Sequence, residues 1–331
     1  MTSPAPAEED MTQTTQQSLA EEFRTELVGF CYRFLGSWSE AEDAVQETML
    51  RAWQRADSFQ GRSSLRTWVY RIATNICLDL VKAPQRRALP VDLTAAGQAP
   101  DDPTTLRTLP ESTWISPFAD HRLPIPADPA AVAEQRDSVR LAFIAALQTL
   151  PPKQRAVLIL RDVLDWSAAE CAELLRLSVA SVNSALARSR ASCAAADRTR
   201  ALPTPTEEAD LRLLSSYLAA FERYDIDALI ALLTQDAEFS MPPYLLWMHG
   251  TDAIRAWWDG PGRICEGSRC LITRANGRPA MAVYHAVAAD RWAPFAIHVL
   301  DVRDGAISAI THFMDTTAFA QFGLPPELGR E

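Results

Sequence analysis

Residues 41–53 read AEDAVQETMLRAW, and residues 59–75 read FQGRSSLRTWVYRIATN. In the first stretch Val45, Met49, Ala52 and Trp53 recur at helical spacing, with Asp43, Gln46 and Glu47 between them, which predicts an amphipathic helix with an acidic face. In the second, Leu65, Trp68, Val69, Ile72, Ile76 and Leu80 keep one apolar face for four turns. Upstream, Leu27, Phe30, Cys31, Phe34 and Leu35 follow the same period, and Ser37 and Ser39 flank Trp38 as caps for the acidic helix. Residues 19–87 therefore read as a short all-α bundle.

The net charge of −10 is unevenly spread. Residues 60–87 hold Arg62, Arg66, Arg71, Lys82, Arg86 and Arg87 against Asp79 alone, a local surface suited to phosphates within an acidic chain. Met1 to Ser18 is small, polar and acidic and is expected to be disordered. Nothing resembles a signal peptide or a membrane span. The six cysteines show neither C-x-x-C nor zinc spacing, and Cys31, Cys77 and Cys171 sit among apolar neighbours as reduced core thiols, so a cytoplasmic location is expected, with no metal and no cofactor.

Residues 88–132 are rich in proline (Pro100, Pro103, Pro110, Pro117, Pro124, Pro126, Pro129) and poor in periodic apolar positions, which reads as a linker. Its islands Trp114-Ile115, Phe118, Leu123 and Ile125 imply local packing. From 133 to 196 helices resume. Val139, Phe143, Ala146, Leu147 and Leu150 line one face, Pro151-Pro152 breaks it, and Ser167 with Glu170 forms a capping box. A helix ending near Leu175, the connection Arg176-Leu177-Ser178 and a last helix with Val182, Ala185 and Leu186 inward match either a helix-turn-helix or an ordinary α-hairpin. After the linker 197–206, residues 207–331 predict two helices (Leu211–Phe221 and Ile226–Leu233) and then strands. The strands fall at Ala237–Met241, Cys270–Arg274, Ala280–Ala288, Pro294–Val302 and Ala306–Phe313, with Asn276-Gly277 and Asp304-Gly305 as hairpin turns. The fold class is multidomain: two all-α modules and a C-terminal α+β unit.

Ala41–Trp53 resembles the polymerase-binding helix of sigma region 2. Phe59–Asn75 resembles the same family's melting and −10-reading segment, and LPPKQRAVLILRDVLDWSAAECAELLRLSVASVNSALARSRA resembles region 4, the −35 reader. The order, with no further promoter module between them, is that of the compact extracytoplasmic-function (ECF) sigma factors of the sigma-70 family. The tail, including MPPYLLWMHGTDAIRAWW at 241–258, resembles the SnoaL-like superfamily, an α+β cone. The junction AADRTRALPTPTEEAD lacks a Gly-rich Asp/Lys motif, which puts the chain nearer the SigG-like subset.

The resemblance implies a factor that binds RNA polymerase core, recognises −10 and −35 elements and opens the strands. Asp43, Gln46 and Glu47 would meet the clamp helices of the largest subunit, with Trp53 a core anchor. Arg62, Arg66, Arg71, Asn75 and Lys82 would hold the melted −10 region, with Phe59, Trp68 or Tyr70 as stacking platforms. Trp68, being on the apolar stripe, is expected in the core, and Asn75 is favoured for base-edge contact. Ser178, Ser181, Asn183, Ser184, Arg188 and Arg190 would face the −35 duplex. The family has glycine where Arg176 stands.

In the tail, Trp247, His249, His298 and His312 are candidates to line a pocket for a small-molecule ligand. Buried strand histidines are more often structural, and no catalytic residues are assigned. The tail and the 88–132 segment are acidic, whereas 60–87 and the last reader helix are basic, so docking of the tail on the sigma modules is expected to regulate them. The competing reading is a DNA-binding repressor with an enzymatic or sensory tail.

Overall fold

The computed structural model describes residues 23–56, 59, 61, 63–81, 87–124, 128–196 and 207–329. The expected disorder of 1–18, the linker 197–206, and Arg62, Lys82 and Ile125 lie outside these residues. In chain order, α1 (residues 23–35), α2 (Trp38–Gln54) and α3 (Leu65–Leu80) come first. A short α4 (Pro90–Leu93) opens the proline-rich stretch. Helices α5 (Pro129–Asp137), α6 (Leu141–Gln148), α7 (Pro152–Leu158), α8 (Ala168–Leu175) and α9 (Val179–Ala196) follow, with a π turn at Ile159–Val163. The tail holds α10 (Glu207–Glu222), α11 (Ile226–Ala231), β1 (Leu233–Ser240), β2 (Trp247–His249), α12 (Thr251–Asp259), β3 (Arg269–Ala275), β4 (Arg278–Ala288), β5 (Arg291–Arg303), β6 (Ala306–Phe313), α13 (Ala318–Gln321) and β7 (Leu328–Gly329). No helix among the described residues is long and apolar enough to cross a membrane.

Two units result. The first takes residues 1–85, 122–126 and 146–196; the second takes 86–121, 127–145 and 197–331. In the first, the apolar stripes meet as their spacing predicts: Leu27, Phe30, Cys31, Phe34, Val45, Val69 and Ile76 are buried, and the Phe30 ring packs edge-on to Tyr70. The Cys31 and Cys77 sulfurs lie 3.7 Å apart as free thiols in this core. The α7–α9 group packs on the same bundle. Tyr70 and Trp166 rings lie 5.2 Å apart, and Arg71 on α3 donates to Glu173 on α8 at 2.8 Å.

The second unit is built on one sheet, in the order β2-β1-β6-β5-β4-β3, with β7 pairing the start of β5. The β1–β6 pair is parallel; the other neighbours are antiparallel. Asn276 (φ 54°) and Gly277 (φ 70°), like Asp304 and Gly305, take the left-handed backbone that tight hairpins demand. Helices α10, α11 and α12 cover one sheet face and bury Tyr217, Phe221, Trp257 and Trp258 against Phe239, Met281, Val283, Leu300 and Ile310. The strands β2 and β7 carry no strong sequence signal; α12, whose Ala253, Ile254, Trp257 and Trp258 recur at helical spacing, was legible but not foreseen, and it starts at Gly250 without a side-chain cap.

Residues 88–121, expected as part of a linker with local packing at its apolar islands, form an ordered strap in this unit. Prolines hold φ near one value and lower the entropy lost on ordering, so a few apolar anchors suffice. Trp114, Ile115 and Phe118 are buried; Leu109 and Leu245 pair with the backbone of Pro243 and Arg107; Gly97 donates to the Trp247 carbonyl. The hairpin tip grips the strap and the residues after α5. Asn276 Oδ1 accepts from Phe118 N at 2.9 Å, Asn276 Nδ2 donates to the Val139 carbonyl at 2.8 Å, and Gly277 N donates to Asp120 at 2.8 Å. A Cβ on Gly277 would overlap the Arg136 backbone carbonyl, at an already positive φ. Gly277→Ala is therefore expected to cost this unit about 2 kcal/mol, read as a fall in its melting temperature. An unchanged melt would show that the hairpin tip is not held.

Candidate functional site

Helix α2 starts at Ser37, whose hydroxyl accepts from Glu40 N at 3.4 Å. Its inward face is Ala41, Ala44, Val45 and Thr48. Asp43 and Gln46 are exposed; Glu47 is half-buried and accepts from Arg51 at 2.6 Å. Trp53 is 67 % exposed, so it is not the core anchor that its position implied. Seven residues past Gln46 is two turns, which returns Trp53 to the outer face together with Leu50, 47 % exposed. Sequence reasoning missed this apolar end of the acidic row. Counting turns from Gln46 rather than Ala52 would have found it.

On α3, Asn75 is exposed. Arg66 donates to Glu26 at 3.3 Å and lies over the Tyr70 and Trp166 rings. Arg71 is engaged by Glu173. Tyr70 is fully buried with its hydroxyl donating to Glu26 at 3.2 Å, and burial pushes its pKa up, so it is no platform for a base. Trp68, expected in the core, is half-buried: the first turn of α3 lies at the rim of the bundle. There its ring meets half-buried Phe59 at 5.3 Å. Of the three aromatic candidates, this pair alone offers an accessible face.

The turn before α9 is as its residue types demand. Ser167 and Glu170 form the capping box of α8, at 3.2 and 2.8 Å. Arg176 ends α8 with φ 54° and ψ 50°, the left-handed conformation that glycine takes without penalty. Arg176→Gly is expected to stabilise the first unit by about 1 kcal/mol, seen as a higher denaturant midpoint at unchanged slope. A lower midpoint would mean that the arginine side chain contributes more than the backbone loses.

Ser178 caps α9 by accepting from Ser181 N at 3.1 Å. Val182, Ala185, Leu186, Ser189 and Cys193 face inward; Ser181, Asn183, Ser184 and Arg188 face out, with Arg188 donating to Ser184 at 2.7 Å. Arg190 makes a two-pronged ion pair with Asp162, at 2.8 and 2.6 Å, which ties the helix to the preceding π turn. Val179, 45 % exposed at the first position of α9, joins the outer face and was not foreseen. An apolar residue there suits a thymine methyl.

In the tail, His298 and His312 sit directly opposite each other on β5 and β6, with ring centres 4.2 Å apart, both buried. Tyr217 Oη and His298 Nδ1 are 3.1 Å apart. Burial holds His298 well below the usual histidine range and His312 down to about 3, with neighbouring histidines adding to the effect. His285, half-buried, stacks on Phe295 and is lowered by burial to about 4. Trp247 and His249 do not join this group. Phe239 and its partner Met248 share the histidine face, so Trp247 and His249, alternating with Met248, point to the other side. Trp247 there donates to the Thr94 carbonyl of the strap at 2.9 Å. Among the described residues no set of His, Cys, Asp and Glu side chains is arranged to hold a metal ion.

Models of known families match three stretches of the chain. Residues 19–87 match the model of sigma-70 region 2, residues 140–193 that of sigma-70 region 4, and residues 214–310 that of the SnoaL-like domain. The chain is 46 % identical over 316 residues to the ECF RNA polymerase sigma factor SigG of Mycobacterium tuberculosis, covering 93 % of this chain and 83 % of that one. The SigW factor of Bacillus subtilis is 29 % identical over 168 residues, 51 % of this chain and 81 % of its own. The crystal structure of the Mycobacterium tuberculosis factor SigJ superposes with a TM-score of 0.58 at 22 % identity, covering 93 % of this chain and 99 % of that one, which establishes a shared fold.

Proposed function

The chain belongs to the extracytoplasmic-function sigma factors of the sigma-70 family, transcription initiation factors without an enzymatic activity of their own, and from that premise we propose how it works. It binds RNA polymerase core through the outer face of α2, with Asp43, Gln46 and Glu47 against the basic clamp helices of the largest subunit. Its −35 contacts come from Ser181, Asn183, Ser184 and Arg188, with Val179 and the capping Ser178 at the tip of α9. Arg190 joins the phosphate contacts when a phosphate displaces Asp162, with which it is paired in the free chain. The −10 strand is held by Asn75, Arg66 and Arg71, joined by Arg62 and Lys82, and an unstacked base rests on the Phe59–Trp68 pair.

The observation that carries this reading is the outer face of α9: its serines, asparagine and arginine pack against nothing in the core, yet follow a helix whose turn is capped and tied at both ends. In the free chain Arg66 and Arg71 are occupied by Glu26 and Glu173, so DNA has to displace these carboxylates. The second of these pairs, Arg71 to Glu173, joins the two sigma modules and favours a closed state in which they restrain each other. The tail unit, which grips the connecting strap through Asn276 and Gly277, acts as the regulatory arm.

The test is run-off transcription and core binding with the full chain. Asp43→Ala with Glu47→Ala is expected to weaken core association several-fold. Arg188→Ala should leave core association alone and weaken promoter binding about tenfold. Tight duplex binding without polymerase, indifferent to the α2 changes, would identify a repressor instead.

A further inference from the structure

We propose that Cys31 and Cys77 are an oxidisable dithiol, closed to a disulfide by a hydroperoxide, and that closure loosens the fastening between the two sigma modules. The side chains come from α1 and α3, 46 residues apart in sequence, and both are fully buried, with Cys77 Sγ donating to Cys31 Sγ at 3.7 Å. A disulfide holds its sulfurs at about 2.05 Å, so the gap to close is about 1.6 Å, within reach of a side-chain rotation and a small helix shift. Either cysteine alone is a small core hydrophobe. Two that face each other at sulfur contact hold the two electrons that a disulfide releases.

Burial sets the chemistry. It holds the Cys77 thiol well above the usual cysteine range, while the Arg155 guanidinium acts in the opposite sense. The pair is therefore silent toward bulky disulfides, and hydrogen peroxide reaches it when the bundle opens locally. The Cys77 thiolate attacks the peroxide: an S–O bond forms, the O–O bond breaks, and the hydroxide released takes up a proton and leaves as water. Cys31 then attacks the sulfenic sulfur of Cys77. The S–S bond forms, the S–O bond breaks and a second water leaves. Two thiols give up two electrons and two protons, and one peroxide becomes two waters.

The consequence lies one helical turn away. Cys31 stands three residues before Phe34, whose carbonyl accepts from Arg155 at 2.5 Å and from Gln148 Nε2 at 3.4 Å. Arg155 also acts on Cys77, so the cation that fastens α7 to the end of α1 lies beside the thiol pair. The share of the gap closed by the helices moves the last turn of α1 against α3 and draws the Phe34 carbonyl from Arg155. This consequence rests on the closed state proposed above; the disulfide itself does not.

The experiment treats the full chain with hydrogen peroxide under native conditions, alkylates the remaining thiols as the chain is denatured, and maps the joined peptides without reductant. Cys31 and Cys77 should be joined at a mass two hydrogens lower, reversibly with dithiothreitol, while Cys171, Cys193, Cys265 and Cys270 remain open to alkylation. The radius of gyration should grow on oxidation, fall back with dithiothreitol, and fail to respond in Cys31→Ala. Should that variant fail to fold, the peptide map of the unaltered chain decides alone. Thiols left intact until the chain unfolds, a mixture of pairings, or sulfinic acid without a cross-link would overturn the dithiol. A cross-link at unchanged dimensions would overturn its coupling to the modules. Arg155→Ala, which enlarges the chain without oxidant where the closed state holds, tells that failure from a failure of the closed state itself.

Discussion

Arg155→Ala is expected to lower the unfolding free energy of the first unit by about 4 kcal/mol. The side chain is 3 % exposed, and its guanidinium lies over the Phe34 ring. It donates to the Phe34 carbonyl at 2.5 Å, to Gln148 Oε1 at 2.7 Å, and to the carbonyls of Gln148 and Leu150 at 3.2 and 3.4 Å. Phe34 is in the last turn of α1, where unpaired carbonyls and the helix dipole favour a cation. Truncation leaves these acceptors buried without a donor and opens a cavity, two of the mechanisms behind large single-site losses. Arg155→Lys should recover only a small part, because an ammonium cannot reproduce the planar fork. Since Arg155 joins the start of the second helical module to the end of α1, the same variant should populate the open state, seen as a larger radius of gyration at temperatures where it remains folded. A loss below about 1 kcal/mol, with unchanged dimensions, would show that the two modules are held by other contacts.

Acid should destabilise the tail unit progressively from about pH 6.5 downward. His298 and His312 are kept neutral in the fold, whereas in the unfolded chain they titrate near 6.5. Below that pH the unfolded chain binds more protons than the native one, so native stability falls as pH falls. The contribution is fully present above 6.5 and is lost progressively toward about 3, where His312 itself protonates in the fold. Each histidine removes about 1.4 kcal/mol per pH unit in that window, and the two together about 3. His285, closer to solvent and lowered to about 4, adds a smaller share, and Tyr217 stays neutral throughout. Equilibrium unfolding at pH 7, 6 and 5 measures the slope, and His312→Leu should cut it by about half. A flat profile between pH 7 and 5 would mean that these rings exchange protons with solvent in the native state.

The helices that carry the polymerase and promoter candidates were legible because their signals are local. Four turns of one apolar stripe in α3, the Ser167–Glu170 box and the Asn276-Gly277 and Asp304-Gly305 turns depend on neighbours a few residues away. Exposure depends on partners far along the chain, and there the reading failed. Trp53 and Trp68 both look like core tryptophans by spacing, yet one projects outward and the other shares a rim with Phe59. His249 looks like a pocket residue until β2 pairs with β1 in the register Phe239 to Met248 and turns it away. Pairing register is a two-state choice that period alone does not make.

Family and module order were legible through the resemblance of three stretches to known motifs, and the helices and turns that carry them through capping, periodicity and turn chemistry, which act within a turn or two of helix. Tertiary structure decided which arginines are already neutralised, that Arg155 fastens one module to the other, and that a proline-rich stretch serves as a strap on the sheet. It also decided that His285, His298 and His312 meet. Each of these brings together groups tens to hundreds of residues apart, and their energies arise from burial and shared hydrogen bonds that exist only once the chain has closed on itself.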